Sequence, residues 1–488
     1  MIHFSKYCLI AALLLTTLGC EEFLEEKPRS FINPTLFFQT EADAEAAVIA
    51  GYDFYGGFND ATYGWFRDFV YEAICDDFTC RPLGNANNVR ELSFYRDFNP
   101  GNVLISSAYS NFFEGMNTFS VAVDGISGME DFENKETLIA EAKYLRAFSY
   151  FTLVRLFGPV SIVDKSLGID EVREIPRAAS ADEVYDLIIS DLNAGVESLW
   201  EKPPLPGRAT KWAAMSLLSM VHLTRKNWAE AAQLAIRVIE ESPHELLPVY
   251  ADIFSDQNEN NAESIFEIQM ELGDERSNQV GNWPRGVGPQ EDQDFFQGPN
   301  WGGLYVATDD FIDSFEEGDR RADLISTSYT KNDGTLIEFY ADGVPPRYPL
   351  KRVPQTYLEG IESNNNSSYN FIYTRLGEVY LMAAEAENEA NGPGNAYQYI
   401  NPIRARAGLA PLAGLSQETF RTAVRNERRH ELYDERKRYF DLLRWQTLVE
   451  KTLVVRPEAQ IQDFHTTWPI PQSARDRNPA LEQNPGYP

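Results

Sequence analysis

The chain has few cysteines and few histidines, and it has far fewer basic than acidic side chains. It contains four Cys and five His in 488 residues. Cys75 and Cys80 could form half of a zinc site, but no second Cys or His pair is present to supply the other two ligands. Lys and Arg number 43 against 74 Asp and Glu, which gives a formal net charge of −31 at pH 7. This balance argues against nucleic-acid binding, because phosphate contacts require clustered Lys and Arg.

Long hydrophobic runs are also absent, apart from one at the N-terminus. The run from Leu9 to Leu18 is shorter than the ~20 apolar residues of a transmembrane helix but has the length of a signal-peptide core. It ends at Gly19 and Cys20 in the order Leu-Gly-Cys, which resembles a bacterial lipobox. The resemblance implies cleavage after residues 1–19 and lipidation of Cys20. The alternative is an ordinary secretory signal followed by a chance cysteine.

The remaining cysteines give a second expectation. Cys8 lies in the signal region, which leaves Cys75 and Cys80 in the segment CDDFTC. An exported protein can form a disulfide over such a short spacing, provided that the fold brings the two sulfurs together. We therefore expect a Cys75–Cys80 disulfide. We expect neither a metal site nor a cofactor.

Most of the chain has the apolar periodicity of α-helices. In the segment 135–158, apolar side chains recur at three- and four-residue steps, and Gly158 with Pro159 predicts its end. Ser180 and Glu183 have capping-box spacing, which predicts the start of the next helix.

The segments 208–226 and 227–243 form a helical pair that resembles a tetratricopeptide repeat. Small Ser219 is followed twelve residues later by Ala231, and Pro243 ends the pair. A further pair is predicted at 373–390 and 395–407.

The stretch 245–370 is rich in Gly, Pro, Asn and Asp and is irregular. Short alternating runs such as SIFEIQM indicate brief strands. An irregular stretch of this length is usually functional or disordered, and its aromatic residues argue against disorder.

Four segments carry a family resemblance: AEAKYLRAFSYFTLVRLFGPV (140–160), GRATKWAAMSLLSMVHL (207–223), RLGEVYLMAAEAENEA (375–390) and ERRHELYDERKRYFDLLRW (427–445). Together they resemble the SusD/RagB family of outer-membrane lipoproteins of Bacteroidota. The resemblance implies a mainly α fold of about four tetratricopeptide-like helical pairs, with an irregular, loop-rich lobe that contains a few short strands.

The resemblance also gives a domain division. A lipidated tether (20–40) follows the signal peptide (1–19), and a single SusD-like domain covers 41–488. Within that domain the segments are a helical scaffold at about 41–244 and 371–450, a ligand-facing lobe at about 245–370, and a proline-rich C-terminal segment at 451–488.

The function implied by the resemblance is capture of an oligosaccharide at the cell surface and its delivery to a SusC-like TonB-dependent transporter in the outer membrane. The alternatives are a RagB-like peptide-capturing protein, a surface glycosidase and a ligand-free assembly scaffold. We expect no enzymatic activity, because the chain has no GxSxG motif and no P-loop, and both His-Glu pairs lack the second His of a zinc protease motif.

A sugar site needs flat aromatic faces and a few polar groups. Five tryptophans fall in or beside the predicted helices and family motifs, where packing explains them: Trp200, Trp212, Trp228, Trp445 and Trp468. The candidate ligand contacts are the loop aromatics and the polar residues around the cysteine segment, namely Trp65, Asp76, Asp77, Arg81, Asn85, Asn88, Trp283, Trp301 and Tyr305. The alternative is that any one of these tryptophans merely packs the lobe.

Two further segments are rich in charged or polar side chains. The segment 256–267 has the oxygen-ligand spacing of a calcium loop, but Asn261 replaces the turn glycine and a predicted strand follows. The segment 427–444 is dense in charges, which we expect to pair along a helix and with its neighbours.

Overall fold

The computed structural model describes residues 37–56, 70–80, 87–168, 171, 174–270, 305–338, 346–353 and 368–488. Helices dominate these residues, as the sequence predicts. They are α1 (Glu41–Gly56), α2 (Asn87–Ser93), α3 (Val103–Ser127), α4 (Lys135–Phe157), α5 (Ala181–Ser198), α6 (Lys211–Thr224), α7 (Trp228–Glu241), α8 (Asp309–Asp313), α9 (Leu376–Asn391), α10 (Pro393–Arg406), α11 (Gln417–Leu432), α12 (Arg438–Arg444), α13 (Leu448–Val455) and α14 (Gln472–Arg477).

The long helices form one continuous array. Helix α4 packs between α3 and α5, α6 packs between α5 and α7, and α7 packs on α9, which also contacts α10 and α11. Helix α1 covers α3 and α4. None of the helices in the described ranges is long and apolar enough to cross a bilayer.

The predicted helix boundaries follow local chemistry. Helix α4 ends at Phe157, and Gly158 after it has a φ of +71°, a conformation that glycine adopts without steric cost. The Ser180 hydroxyl accepts a hydrogen bond from the Glu183 amide and caps α5. The Glu183 carboxylate accepts from the Ala179 amide instead of closing a capping box with Ser180.

The predicted helical pair is confirmed as α6 and α7, and the two small residues of the repeat-like spacing meet between them. The Ser219 hydroxyl donates a 2.8 Å hydrogen bond to the Ala231 carbonyl, and both residues are fully buried. Small side chains at these two positions let the helices approach closely enough for that bond to form.

The segment 245–370 contains the short strands expected of it, and two further strands from outside it complete the antiparallel pairs. The strands are β1 (Phe78–Cys80), β2 (Ser264–Ile268), β3 (Tyr305–Ala307), β4 (Ile325–Ser326), β5 (Ser328–Thr330), β6 (Leu336–Glu338), β7 (Tyr348–Pro349) and β8 (Phe371–Arg375). The pairs are β1–β3, β2–β8, β4–β7 and β5–β6. The helix predicted from residue 373 begins instead at Leu376, because 371–375 pairs with β2.

The C-terminal segment returns to the core. Trp468 is fully buried; its amide donates to the Leu156 carbonyl, and its indole N–H donates to the Tyr439 hydroxyl at 2.8 Å. The Asn484 side chain donates to the carbonyls of Phe157 and Trp468 at 3.0 and 2.7 Å. The proline-rich end therefore supplies part of the hydrophobic core.

Candidate ligand-binding site

The strand pair β1–β3 joins two segments that the sequence analysis singled out. Cys80 pairs with Tyr305, Thr79 with Val306 and Phe78 with Ala307. Cys80 is the last described residue before 81–86, and Tyr305 is the first after 271–304. The antiparallel register therefore places Cys80 and Tyr305 at the same end of the ladder.

The candidate contact residues divide into two groups. Five of them lie outside the described residues: Trp65, Arg81, Asn85, Trp283 and Trp301. Asn88 is exposed in the first turn of α2. Asp76, Asp77 and Tyr305 are buried. The five tryptophans assigned to packing are all at least partly buried in helical or C-terminal contacts.

Asp76 forms a buried ion pair at the base of the ladder. The Arg438 guanidinium donates two hydrogen bonds of 2.7 Å to its carboxylate. Burial alone would raise the pKa of Asp76, but the Arg438 charge outweighs it and the pKa falls to about 2. This carboxylate faces into the protein, and its geometry does not support the predicted direct contact with a ligand.

Asp77 and Thr308 continue this base. Asp77 accepts a 2.6 Å bond from Arg429 Nε and is fully buried. The Thr308 hydroxyl donates to the carbonyls of Asp76 and Asp77, and the Thr308 amide also donates to Asp77. The turn before β1 is therefore fixed to the residue after β3.

Tyr305 lies opposite Cys80 at one end of the ladder, and its side chain is buried in the core. Its hydroxyl donates a 2.7 Å hydrogen bond to Asp434, and its ring packs at 5.0 Å from the Phe78 ring. Burial, and then the Asp434 charge, raise the pKa of Tyr305. Like Asp76, it positions the ladder instead of facing solvent.

The turn 433–437, which separates α11 from α12, connects the ladder to the rest of the protein. Asp434 and Arg436 have φ values of +59° and +63°, which is unfavourable for side chains other than glycine. Asp434 is held by Tyr305 and by Arg352 at 3.1 Å. The Arg436 amide donates a 2.5 Å bond to Glu72. These contacts hold the unfavourable conformation in place.

Glu72 is a buried acid whose charged form is unfavourable. Burial is the main cause that raises its pKa, to about 8, and the neighbouring Asp434 adds to it. The Arg352 charge opposes this shift without cancelling it. At neutral pH this carboxyl group is therefore mostly protonated.

The predicted disulfide is absent: Cys75 and Cys80 are free buried thiols. Cys75 packs in the main core and donates to the Glu72 carbonyl at 3.0 Å. Cys80 lies on β1 in a separate small cluster with Ala73 and Val89. The short sequence spacing placed the two sulfurs in the same loop, but the turn and the strand direct them into different apolar clusters.

The side chains of Cys75, Asp76 and Asp77 lie within 4.8 Å of one another, a spacing that a metal ion could bridge. However, Arg438 and Arg429 already bind the two carboxylates, and burial raises the pKa of the Cys75 thiol. This donor set is neutralised by guanidinium groups, so it does not fit a cation.

The charged side chains of 427–444 form ion pairs, as predicted, and most of these pairs join the segment to other elements. The i,i+3 pair Arg444–Asp441 forms within α12. Most of the partners come from elsewhere: Arg375 on β8 donates to Glu431 at 2.6 Å and to both oxygens of Glu435. Arg375 was missed as a site residue because its partners lie 56 and 60 residues away along the chain.

Comparison with known proteins identifies the family of this chain. A family model described as "Starch-binding associating with outer membrane" matches residues 22–223, and one described as "SusD family" matches residues 319–487. A SusD-like protein from Formosa agariphila is 30% identical, with 97% of this chain and 98% of that protein covered. The chain belongs to the SusD family. This is a family of glycan-binding proteins associated with the outer membrane.

Solved structures agree on the fold. A SusD homologue from Bacteroides thetaiotaomicron superposes on this SusD-family protein with a TM-score of 0.82 at 22% identity, covering 94% of this chain and 99% of the other. A structure described as a laminarin-binding SusD-like protein is 25% identical, with a TM-score of 0.77 and coverage of 92% and 100%. The helical array and the short-strand lobe are therefore the SusD architecture.

Proposed function

We propose that this SusD-family protein is a cell-surface lipoprotein that captures an oligosaccharide and delivers it to a SusC-like TonB-dependent transporter. Family membership supports glycan binding at the outer membrane. The single observation that carries the location of the site is the pairing of Cys80 with Tyr305. It brings together Cys80, which precedes 81–86, and Tyr305, which follows 271–304. These two segments contain Arg81, Trp283 and Trp301.

The rigid base below the ladder supports this location. Ligand contacts made by loops cost less conformational entropy when the ends of the loops are already fixed. Here the ion pair Arg438–Asp76 and the hydrogen bond Tyr305–Asp434 fix both strands. In this proposal Asp76, Asp77 and Tyr305 form the base, while the aromatic and polar residues beyond it contact the sugar.

The proposed contacts are an indole platform and facing polar groups. Trp283 and Trp301 stack on pyranose rings, and Trp65, Arg81, Asn85 and Asn88 supply aromatic or hydrogen-bonding groups around them. Shallow sugar sites bind with roughly 4–8 kcal/mol, so the loss of one stacking indole removes most of the measurable affinity.

The test is a glycan array followed by calorimetry with the best oligosaccharide. A laminarin-derived oligosaccharide is included, because a SusD-like neighbour binds laminarin. Trp283→Ala and Trp301→Ala are expected to lose binding and to keep their melting temperature. Trp228→Ala, on partly buried α7, is the matched control and is expected to lose stability but retain affinity.

The same preparation tests the competing functions. Normal affinity in both loop variants would reject the platform. Binding of peptides without binding of any glycan would identify a peptide-capturing member. Release of reducing ends from candidate glycans by the purified protein would identify a glycosidase.

A further inference from the structure

A separate cleft of about 540 Å³ lies where α4, α6 and α13 meet the segment 463–466. Its lining includes Arg155, Tyr185, Lys226, Phe440 and Gln446. None of these residues belongs to the β1–β3 ladder or to its base. A smaller cavity lies next to the cleft, and Arg155 and Phe440 line both.

Arg155 is held in a fixed orientation at this junction. Its guanidinium lies 3.8 Å from the ring centre of Phe151 and 3.7 Å from that of Phe440, so the two rings sandwich it. Its Nε donates a 2.9 Å hydrogen bond to the Phe151 carbonyl. The bond to Phe151 uses Nε, and the Arg155 side chain lines both cavities.

Within the described part of the chain, no carboxylate lies within ion-pair distance of Arg155. Nearby acids are already taken: Glu378 binds Lys437 at 2.8 Å, and Asp441 binds Arg428 at 2.8 Å. Burial lowers the pKa of Arg155, as expected for a cation that lacks a compensating anion.

The rim of the cleft carries one charge of each sign. Lys226 is exposed there, and Asp463 lines the same cleft. Arg444 also lines it but is neutralised by Glu385, to which it donates at 2.5 and 2.6 Å. Arg155 therefore leaves this cleft with one net positive charge, in a chain of net charge −31.

We propose that this cleft binds a small sugar acid, whose carboxylate pairs with the terminal nitrogens of Arg155. A guanidinium fork matches a planar carboxylate in two parallel hydrogen bonds. The volume leaves room for a sugar ring beside that carboxylate, with Tyr185 and Phe440 as apolar surfaces and Gln446 as a polar contact. This site is independent of the proposed glycan platform.

A purely structural role explains only part of this arrangement. Arg155 is in the last turn of α4, where a positive charge stabilises the helix end. That role is satisfied by the charge and by the bond from Nε to Phe151. It does not account for a side chain that lines two neighbouring cavities and has no carboxylate within ion-pair distance among the described residues.

The experiment measures binding of D-glucuronate to the mature protein by ligand-observed NMR and calorimetry at low ionic strength. Arg155→Gln is expected to weaken binding about tenfold or more, the effect of losing a charge-assisted pair. Lys226→Glu, on an exposed side chain, tests the site without altering the buried sandwich and is expected to weaken binding. Arg237→Gln, in an exposed pair with Glu241, is the control and is expected to bind normally.

Two further ligands separate carboxylate recognition from other causes. Acetate is expected to compete with D-glucuronate, whereas D-glucose, which has no carboxylate, is expected not to compete. Equal binding of D-glucose would overturn the proposal. So would normal affinity in a folded Arg155→Gln variant, or the absence of saturable binding by the wild-type protein.

Discussion

Arg438 donates two 2.7 Å hydrogen bonds to Asp76 across 362 residues of sequence. The pair ties the start of α12 to the turn that precedes β1. Because β1 carries the chain directly into 81–86, this contact fixes one edge of the proposed ligand site. The ion pair itself is structural, but it positions the turn and strand that lead to the proposed ligand site.

The first prediction concerns this ion pair. Asp76→Asn keeps the shape of the side chain but leaves the buried Arg438 charge without its main partner, which is expected to cost about 3–5 kcal/mol of unfolding free energy. Denaturant unfolding at pH 7 measures the loss. Asp182→Asn is the control: its pair with Arg225 is exposed, so the expected change is about 0–1 kcal/mol. Equal effects in the two variants would contradict the buried-pair interpretation.

Lowering the pH should remove the contribution of this ion pair to the free energy of unfolding in the wild-type protein. The pKa of Asp76 is lowered from 3.8 to about 2 in the folded state, so the stabilisation is complete above about pH 4. It is lost as the pH falls toward 2. Asp76→Asn is therefore expected to have a flatter stability profile than the wild type between pH 4 and pH 2.

The second prediction concerns Glu72, for which the sign is opposite. Its folded-state pKa of about 8 lies above the ordinary value of 4.5, so the native state binds more protons than the unfolded state between these values. Glu72 therefore lowers the free energy of unfolding as the pH rises from about 5 to 8. Glu72→Gln can still accept the Arg436 amide bond and should reduce this loss. Melting temperatures at pH 5 and pH 8 provide the measurement, and an unchanged pH dependence in Glu72→Gln would count against a neutral Glu72.

The third prediction is that both core cysteines are reduced. Alkylation of a mature domain that starts after Cys20, unfolded without reductant, should label Cys75 and Cys80 together. The folded protein should react slowly, because burial raises the pKa of both thiols and covers them. If neither thiol is labelled in the unfolded protein, the two cysteines form a disulfide and this prediction is wrong.

The fourth prediction concerns the membrane anchor and the transporter. Cys20→Ala is expected to release the exported protein from the outer-membrane fraction, because the lipid-bearing thiol is gone. Affinity purification of the wild-type protein in mild detergent should recover a large β-barrel in near-equal amount. Membrane retention of Cys20→Ala, or recovery of the lipoprotein alone, would weigh against this part of the proposed function.

The helical part of the fold was predictable from the sequence because its signals are local. Apolar periodicity, the Ser180 cap and the glycine at 158 act within one helix, and the structure follows them. Ser219 and Ala231 are only twelve residues apart, so the repeat-like spacing was enough to predict the helical pair that their contact joins.

The site was less predictable because its chemistry depends on long-range pairing. Asp76, Asp77 and Tyr305 have the residue types of a sugar site, but partners more than a hundred residues away draw them into the core. The Cys75–Cys80 spacing likewise did not reveal that a turn and a strand would separate the two thiols. Residue type and sequence proximity do not determine which way a side chain faces.

The position of Trp468 has a consequence for the cooperativity of unfolding. This indole is fully buried, its amide donates to the Leu156 carbonyl of α4, and its indole N–H donates to the Tyr439 hydroxyl. Helix α4 and the segment around Trp468 therefore bury one another's apolar surface, and we infer that neither unfolds without the other. A chain that stops before Trp468 is expected to be sensitive to protease within α4, and protease resistance of that chain would contradict the inference. One indole thus makes two distant parts of the chain a single cooperative unit.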